Sequence, residues 1–126
     1  MEIEIQVKEI LDSYSKEVRR ASENSQDVVA KEAVRKLKNT SPKQAKHRRK
    51  YAEGWAVKRE KGSGGIPIVK VYNKTNPQLT HLLENGHVIR NGTGREYGET
   101  HGIKHIGPVE QWANDELPNE IKRELE

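Results

Sequence analysis

The first forty residues carry a regular amphipathic pattern, and this pattern constrains the fold more than any other part of the chain. Apolar residues recur there at steps of three and four, with a short lapse in the middle. They are Ile3, Val7, Ile10, Leu11, Tyr14, Val18, Ala21, Val29, Ala33 and Leu37. This spacing predicts a helix with one apolar stripe. The helix either runs unbroken to about Asn39, spanning about 50 Å at 1.5 Å per residue, or restarts from a cap at Ser25, which gives a helix pair.

The composition leaves little apolar material to cover such a stripe. Of the 126 residues, 32% are hydrophobic, 33% are charged and none is Phe, and the mean hydropathy is −1.01. A chain of this length normally buries about two-thirds of the surface of its unfolded state, which this composition favours only weakly. We therefore expect a single domain that either oligomerises or leaves long elements exposed.

Several classes of protein are excluded or disfavoured by simple features of the sequence. The chain has no Cys, which removes disulfides, thiolate catalysis and Cys-based zinc sites. Its longest apolar stretches, such as 66–69, are far shorter than the roughly 20 residues that span a bilayer. The acidic start, residues 1–5, does not have the pattern of a signal peptide. We expect no membrane association and a protein that stays in the cytoplasm of the cell that makes it.

The middle of the chain has the pattern of a hairpin followed by a short helix. Ser41-Pro42 ends the first helix, and a polar, basic connector leads into a period-two pattern over 51–59 that predicts a strand. A Gly-rich turn at 62–65 then separates it from a second predicted strand at 66–72. Asn76-Pro77 predicts the start of a short helix that ends at Asn85-Gly86.

The last third predicts a long connection and a final helix. Residues 90–107 are rich in Gly and charge and are long for a connection, which is typical of a functional loop or one that orders on binding. Pro108 opens the final helix, and Pro118 predicts a kink or a break in it. The predicted fold class is α+β, with a helical arm at 1–40 and a core at 41–126. In that core a small antiparallel sheet packs against the C-terminal helix, and 90–107 is a flexible loop.

Charge is distributed unevenly along the chain. The net charge is +4, from 23 Lys and Arg against 19 Asp and Glu, but residues 41–74 carry ten basic and two acidic groups, whereas 75–126 carry five and nine. This asymmetry is typical of a chain that binds a polyanion through its middle, or that binds copies of itself by pairing basic with acidic segments.

The basic connector supplies the sharpest surface prediction. Clustered Lys and Arg neutralise phosphates and release counterions, and the neighbouring Tyr51 and Trp55 are of a type that stacks on bases. The alternative is a solvated loop whose two aromatic residues belong to the sheet. The candidates for a protein interface or a DNA-facing surface are Lys43, Lys46, Arg48, Arg49, Lys50, Arg90, Arg95 and His105. The residues predicted to pack in the core are Trp55, Tyr72, Leu79, Leu82, Leu83 and Trp112.

The histidines give only a weak indication of catalysis or metal binding. His101 and His105 have the spacing that places two imidazoles on one helical face, but Gly102, Gly107 and Pro108 disfavour a helix there. We find no paired acids, no serine nucleophile elbow and no phosphate-binding loop. The sequence therefore predicts no enzyme, no cofactor and no metal site, with a His-dependent nuclease or toxin as an alternative.

Four stretches of the chain carry a resemblance to a known family. They are Ser41-Pro42-Lys43, the residues from Arg49 to Trp55, those from Val71 to His87, and those from Gly102 to Glu110. In order and spacing they resemble the HK phage gene-10-type tail-component family, over about Ser41 to the C-terminus. The N-terminal helix is carried by its general pattern alone.

This resemblance implies a structural, non-enzymatic protein of the virion. It implies that the chain completes the head–tail junction of a tailed bacteriophage or prophage, as a homo-oligomeric ring between the portal-side connector and the tail tube. Its implied partners are connector or head-completion proteins and tail-terminator proteins, with non-specific contact to passing DNA. The alternative from another class is a small basic nucleic-acid-binding module.

Overall fold

The computed structural model describes residues 1–5, 16–43, 46–62, 67–90 and 96–126, with the backbone alone at 46–49, 87–90 and 96–100. The chain is α+β, as predicted. Its strands are β1 (Ile3–Ile5), β2 (Trp55–Lys61), β3 (Pro67–Asn73), β4 (Gly86–Arg90) and β5 (Glu96–His101). Its helices are α1 (Lys16–Thr40), α2 (Lys46–Glu53), α3 (Thr80–Asn85) and α4 (Ile106–Leu125), with a 3₁₀ turn at Pro77–Leu79 that leads into α3. No helix in these ranges is long and apolar enough to cross a membrane.

The core lies between a three-stranded antiparallel sheet and a pair of long helices. The strand order is β1-β3-β2, and α1 and α4 cover one face of this sheet. The two helices are antiparallel, because Lys36 near the end of α1 lies over the ring of Trp112 near the start of α4, at 4.7 Å. At the other end, Arg20 of α1 shares a shallow cavity with Leu125 of α4.

The apolar stripe of α1 is covered within the chain itself, contrary to the expectation that a small domain leaves it exposed. Helix α1 has 25 residues, which corresponds to about 37 Å, and α4 and the sheet lie along it. The buried core combines residues from both long helices, from α2 with the start of β2, and from the covered face of the sheet. They are Ile3, Ile5, Val29, Ala30, Ala33, Leu37, Tyr51, Trp55, Val69, Val71, Ile106, Val109, Ala113 and Leu117.

A buried glutamine also fixes α1 to the sheet. Gln26 is fully buried. With its amide nitrogen turned toward them, it donates to the carbonyl oxygens of Ile5, at 2.7 Å, and Pro67, at 2.9 Å. Buried polar groups normally require such partners, so this side chain helps to determine how α1 sits on β1 and β3.

The N-terminal segment corrects one prediction. Residues 3–5 form a strand instead of the first turn of a helix, and Ile3 and Ile5 pair with Val71 and Val69 of β3. Both isoleucines are buried, at 1% and 2% exposure. The step of four from Ile3 to Val7 fits a strand as well as a helical stripe, and pairing with the distant strand β3 determines which of the two forms at 3–5. The rest of the predicted helix before residue 16 lies outside the described residues.

The segment around Tyr51 is a second correction. Residues 46–53 form the helix α2, where the sequence predicted a basic connector and a strand from Tyr51, and the strand β2 begins only at Trp55. Tyr51 and Trp55 are four residues apart and both buried, with ring centroids 5.6 Å apart. That spacing fits a helical turn that leads into a strand as well as it fits a strand alone. The antiparallel hairpin predicted from the strands at 51–59 and 66–72 is confirmed, since β2 and β3 are antiparallel neighbours.

The long connection predicted at 90–107 contains regular structure. Strand β5 pairs antiparallel with β4, from Gly86 opposite His101 to Arg90 opposite Glu96, with an irregularity after Ile89. The tip of this hairpin, 91–95, lies outside the described residues. The helix predicted to open at Pro108 begins at Ile106 instead.

Helix α4 runs through Pro118 without the predicted break. Proline removes one backbone hydrogen bond and crowds the preceding turn, but its neighbours on the other face hold the helix in place. Leu117 is buried in the core and Ile121 packs against it, while Pro118 is exposed.

Candidate functional site

A buried carboxylate holds the start of α4. Glu84, in α3, is 4% exposed. Its Oε1 accepts the backbone N–H groups of His105, at 2.7 Å, and Ile106, at 2.8 Å, and its Oε2 accepts that of Gly107, at 3.0 Å. The first N–H groups of a helix have no partner within the helix, and a negative charge there also interacts favourably with the helix dipole. Glu84 therefore acts as a cap supplied from a distant part of the chain.

The protonation of Glu84 follows from this arrangement. Burial by itself raises the pKa of a carboxyl group, but the three backbone donors and the nearby His105 outweigh it, so that the pKa of Glu84 lies below its ordinary value of 4.5. The capping side chain is thus a buried carboxylate near neutral pH.

His105 is the central member of the same cluster. Its Nε2 lies 2.7 Å from the hydroxyl of Tyr51, and its Nδ1 lies 2.7 Å from the carbonyl oxygen of Ile103 and 3.0 Å from Oε1 of Glu84. Because a carbonyl oxygen only accepts hydrogen bonds, a neutral ring carries its proton on Nδ1 and accepts the Tyr51 hydroxyl at Nε2. Burial, and then the charge of Glu84, raise the pKa of Tyr51 well above its ordinary value, which keeps this hydroxyl a donor.

The cluster continues through three aromatic rings to the end of α1. Tyr51, Trp55 and His105 meet edge to face, with centroids 5.6 to 6.3 Å apart, a favoured geometry for aromatic pairs. The indole Nε1 of Trp55 donates to Oγ of Ser41 at 2.8 Å, and Ser41 donates in turn to the carbonyl of Leu37 at 2.5 Å. The polar end of each ring is therefore satisfied inside the protein.

A second set of buried hydrogen bonds fixes the junction between α2 and β2. Asn73, 2% exposed, donates from Nδ2 to the carbonyl of Tyr51 at 2.7 Å, and its Oδ1 accepts the N–H of Asn76 at 2.8 Å and the hydroxyl of Thr75 at 3.1 Å. Gly54 lies so close that a Cβ on it would be 2.0 Å from Oγ1 of Thr75. Asn76, predicted to cap the short helix, makes no side-chain cap bond; its own backbone N–H is instead held by Asn73.

These two sets of contacts are suited to holding a fold and not to catalysis. The imidazole, the phenol and the carboxylate that would perform acid–base chemistry are buried and bonded to one another. Among the described residues, no group of His, Asp and Glu side chains is arranged to hold a metal ion. His101, the other half of the histidine pair considered for zinc, is exposed while His105 is 1% exposed.

The predicted surface residues do not form one patch. His105 is wrong as an interface or DNA-facing residue, because the Tyr51 and Glu84 contacts bury it. Lys43 and Lys50 are exposed and lie on either side of the first turns of α2. Lys46, Arg48 and Arg49 are within α2, and Arg90 is the last residue of β4; Arg95 lies outside the described residues.

Part of the basic middle segment is neutralised by the chain itself. Lys58 of β2 pairs with Glu2 at 2.6 Å, and Lys70 of β3 pairs with Glu60 at 2.9 Å. Arg59 forms an ion pair with Asp27 of α1. Part of the positive charge predicted for 41–74 is therefore balanced by acidic residues within the described structure.

The residues predicted for the core divide into three groups. Trp55 is 2% exposed, and Leu79, Leu83 and Trp112 are partly buried against the core. Tyr72 is half-buried beneath Lys58, whose Nζ lies 4.8 Å from the ring centroid. Leu82 is 40% exposed, which contradicts its assignment to the core: it lies on the outer side of the short helix α3.

The sequence analysis missed the polar residues that organise this site. In the sequence, Glu84, Ser41 and Asn73 stand only within the stretches that carry the family resemblance, and Tyr51 is singled out only as an aromatic residue beside the basic connector. Glu84 is a single acidic residue in a helical stretch, so its burial depends on contacts with residues more than twenty positions away. The closest available signal was that these residues all fall within the stretches that carry the family resemblance.

The first two-thirds of the chain identifies a family. Residues 5–86 match the model of the family described as "Bacteriophage HK97-gp10, putative tail-component", and this range is more than half of the chain. The protein is therefore a bacteriophage tail component, and a protein of the virion. It belongs to the HK97-gp10-like family.

The matched range differs from the range of the resemblance noted in the sequence. It includes α1, which had been assigned by pattern alone, and it ends at Gly86, before the β4–β5 hairpin and α4. Comparisons with curated proteins and with solved structures give no match.

Proposed function

We propose that this tail component completes the junction between head and tail, as a ring of identical copies between the portal-side connector and the tail tube, and that it has no enzymatic role. Membership of the tail-component family is the observation that carries this proposal. The partners proposed are connector or head-completion proteins on one side and tail-terminator proteins on the other. Assembly takes place in the cytoplasm of the bacterial host.

The buried cluster supports a structural role. Its polar groups hold α3, α2 and the ends of α1 and α4 together, and Glu84, His105 and Tyr51 are inaccessible to a substrate. Because these polar groups are buried, contacts with other proteins are made by the surface of the domain, as in a component of a larger assembly.

The test is complementation of the phage that encodes the protein. With its gene deleted, DNA-filled heads and finished tails should accumulate separately, and supplying the protein in trans should join them; electron microscopy of the lysate measures both. Tails that fail to form at all, or particles that are joined without the protein, would contradict a role at the junction.

The basic surface beside α2 favours contact with the DNA that passes through such a ring. Lys43 lies just before α2 and Lys50 within it, and both are exposed. The sequence of α2 contains three further cations, and clustered cations hold DNA without reading its sequence. We expect free duplex to bind weakly at physiological salt and more tightly at low salt.

Charge reversal tests this contact. Lys43→Glu with Lys50→Glu should weaken low-salt binding to a short duplex and reduce the slope of log K against log salt by about two, since each phosphate contact contributes about one. The control is Lys31→Glu with Lys122→Glu, two exposed cations on α1 and α4. It should weaken low-salt binding only by the amount that follows from the lower net charge. Tight, sequence-selective binding at physiological salt would favour the alternative function, a nucleic-acid-binding module.

A further inference from the structure

The β4–β5 hairpin stands apart from the rest of the described structure. Its two strands form a sheet of their own, separate from β1-β3-β2. Among the described elements its main packing partner is α3, the short helix that leads directly into it. The core, by contrast, is built by α1, α4 and the other sheet.

The base of this hairpin is held firmly. Gly86 turns the chain out of α3 with a φ of 80°, a conformation that favours glycine. On the return, the N–H of Ile103 donates to the carbonyl of Leu83 at 2.8 Å, and a Cβ on Gly102 would lie 2.3 Å from the carbonyl oxygen of Glu84. The direction in which the hairpin leaves the domain is therefore determined by the fold.

A hairpin of this kind needs a partner. An isolated two-stranded hairpin is marginally stable in water, and it gains stability when further strands or a helix cover it. Within the described sheet each of its strands pairs on one side only, and the N–H and C=O groups of such an edge pair readily with another strand. Near its base in the chain, the apolar side chains of Leu82 and Ile103 are each 40% exposed.

The three-stranded sheet offers a strand edge that matches the hairpin in length and charge. In the described sheet β2 pairs with β3 on one side only, and it has seven residues against six in β5. β5 carries two acidic residues, Glu96 and Glu99, and no Lys or Arg, whereas β2 carries three cations and one acid. Two of those cations already have acidic partners in Glu2 and Asp27, and Lys61 at the exposed end is the third.

We propose, on the basis of the ring function proposed above, that the β4–β5 hairpin of one copy docks on a second copy, with β5 adding to the edge of that copy's β2. Backbone hydrogen bonds supply the affinity in such strand addition, and the side chains select the partner. The contact joins two different surfaces of the same protein, so it repeats head to tail and closes into a ring when the rotation permits.

Cysteine cross-linking tests this contact directly, because the natural chain contains no Cys. One variant carries Thr100→Cys in β5, and a second carries Lys61→Cys in β2. Both are supplied together in trans to the phage lacking the gene, and purified particles are oxidised and analysed under non-reducing conditions. The control pair combines Thr100→Cys with Asn114→Cys, an exposed position on α4.

A disulfide-linked dimer of the two variants, absent from the control pair and from each variant alone, is the expected result. Particles that contain the protein but give no such dimer, or that give only Thr100→Cys homodimers or links to another virion protein, would overturn the docking proposal while leaving the junction function intact. Particles that assemble without the protein would overturn the junction function itself.

Charge exchange provides a second measurement that needs no particles. Glu96→Lys with Glu99→Lys, or Lys58→Glu with Arg59→Glu, should each abolish cross-linking of concentrated protein by a short thiol-reactive reagent between Thr100→Cys and Lys61→Cys. An equimolar mixture of the two charge variants should restore it, since each then offers a complementary strand to the other. Failure of the mixture, with both variants folded by circular dichroism, would contradict pairing of β5 with β2.

Discussion

At the scale of single residues, Glu84 has the largest influence on this structure. It closes the start of α4 from a position in α3, and its carboxylate accepts three backbone N–H groups at 2.7 to 3.0 Å. We expect Glu84→Gln to lower the free energy of unfolding at pH 7 by about 1–3 kcal/mol, because a buried amide satisfies these donors poorly. Urea unfolding followed by circular dichroism measures this difference.

The same residue predicts a dependence on pH. The folded-state pKa of Glu84 is lower than its ordinary value of 4.5, so its contribution is complete above that value and is lost as the pH falls through the folded-state pKa. The difference in stability between the natural protein and Glu84→Gln should therefore shrink below pH 4.5. An equal difference at pH 7 and at pH 3.5 would contradict the assignment of Glu84 as a buried carboxylate. Glu32→Gln, at an exposed ion pair on α1, is the matched control.

The Tyr51 hydroxyl is the second residue with a clear prediction. Tyr51→Phe keeps the ring in its edge-to-face contacts and removes only the donor to His105 Nε2, at 2.7 Å. Leaving that buried nitrogen without a partner should cost about 1–3 kcal/mol. Tyr72→Phe, on the half-buried outer side of the sheet, should change stability by less than about 0.5 kcal/mol. Equal effects of the two substitutions would contradict a contribution of the Tyr51–His105 hydrogen bond to the free energy of unfolding.

Burial explains what could and could not be predicted at this scale. Trp55 was assigned to the core from its aromatic character alone, and the structure places it there at 2% exposure. His105 was predicted at the surface and is buried, whereas Leu82 was predicted in the core and is exposed. The type of a residue says little about which side of a short element it occupies. The polar contacts of Glu84 and Asn73 join positions more than twenty residues apart, and no local pattern in the sequence records them.

At the scale of elements, the junction between α2 and β2 depends on Gly54. A methyl group there would lie 2.0 Å from Oγ1 of Thr75 and 3.0 Å from Oδ1 of Asn73, so Gly54→Ala must displace the buried hydrogen bonds of Asn73. We expect a loss of about 1–3 kcal/mol, as for other overpacked positions. Adding Thr75→Ala removes the nearest atom and should make the further cost of Gly54→Ala smaller than it is with Thr75 present. A double-mutant cycle measures this coupling, and simple additivity would contradict the predicted clash.

The elements predicted correctly are those whose pattern is long or bounded by Gly and Pro. The α4 helix, the β2–β3 hairpin and the short helix ending at Gly86 are of this kind. The errors at 3–5 and 51–53 fall on short segments, where a step of four residues fits the period of a strand and that of a helix equally well. In such segments, contacts with distant parts of the chain determine whether a strand or a helix forms. Strand β5 was not predicted, because Gly98 and the acidic residues around it have low strand propensity. Its backbone pairing with β4 stabilises the strand despite that low propensity.

At the scale of the whole molecule, the described structure consists of a body with the apolar core and a hairpin whose strands form a sheet of their own. The body contains the three-stranded sheet, both long helices and the buried polar cluster, and all residues of the described apolar core belong to it or to the connections within it. The low hydrophobic content of the chain is thus concentrated in one core, and a separate surface is available for assembly.

This separation predicts that the hairpin can be removed without unfolding the protein. Gly86 and His101 are cross-strand partners, so their Cα atoms lie about 5 Å apart, and replacing 87–100 by Asn-Gly closes the chain with a tight turn of the type those residues favour. The shortened protein should unfold in urea within about 1 kcal/mol of the natural one, a small change because the core is untouched. It should nevertheless fail to join heads to tails in the complementation assay, because it cannot reach the β2 edge of its neighbour.

A shortened protein that is unfolded would show that the hairpin is part of the stable body. A shortened protein that is stable and fully active would show that the hairpin has no role in assembly. Stability retained with activity lost is the combination expected of an arm that acts only between copies.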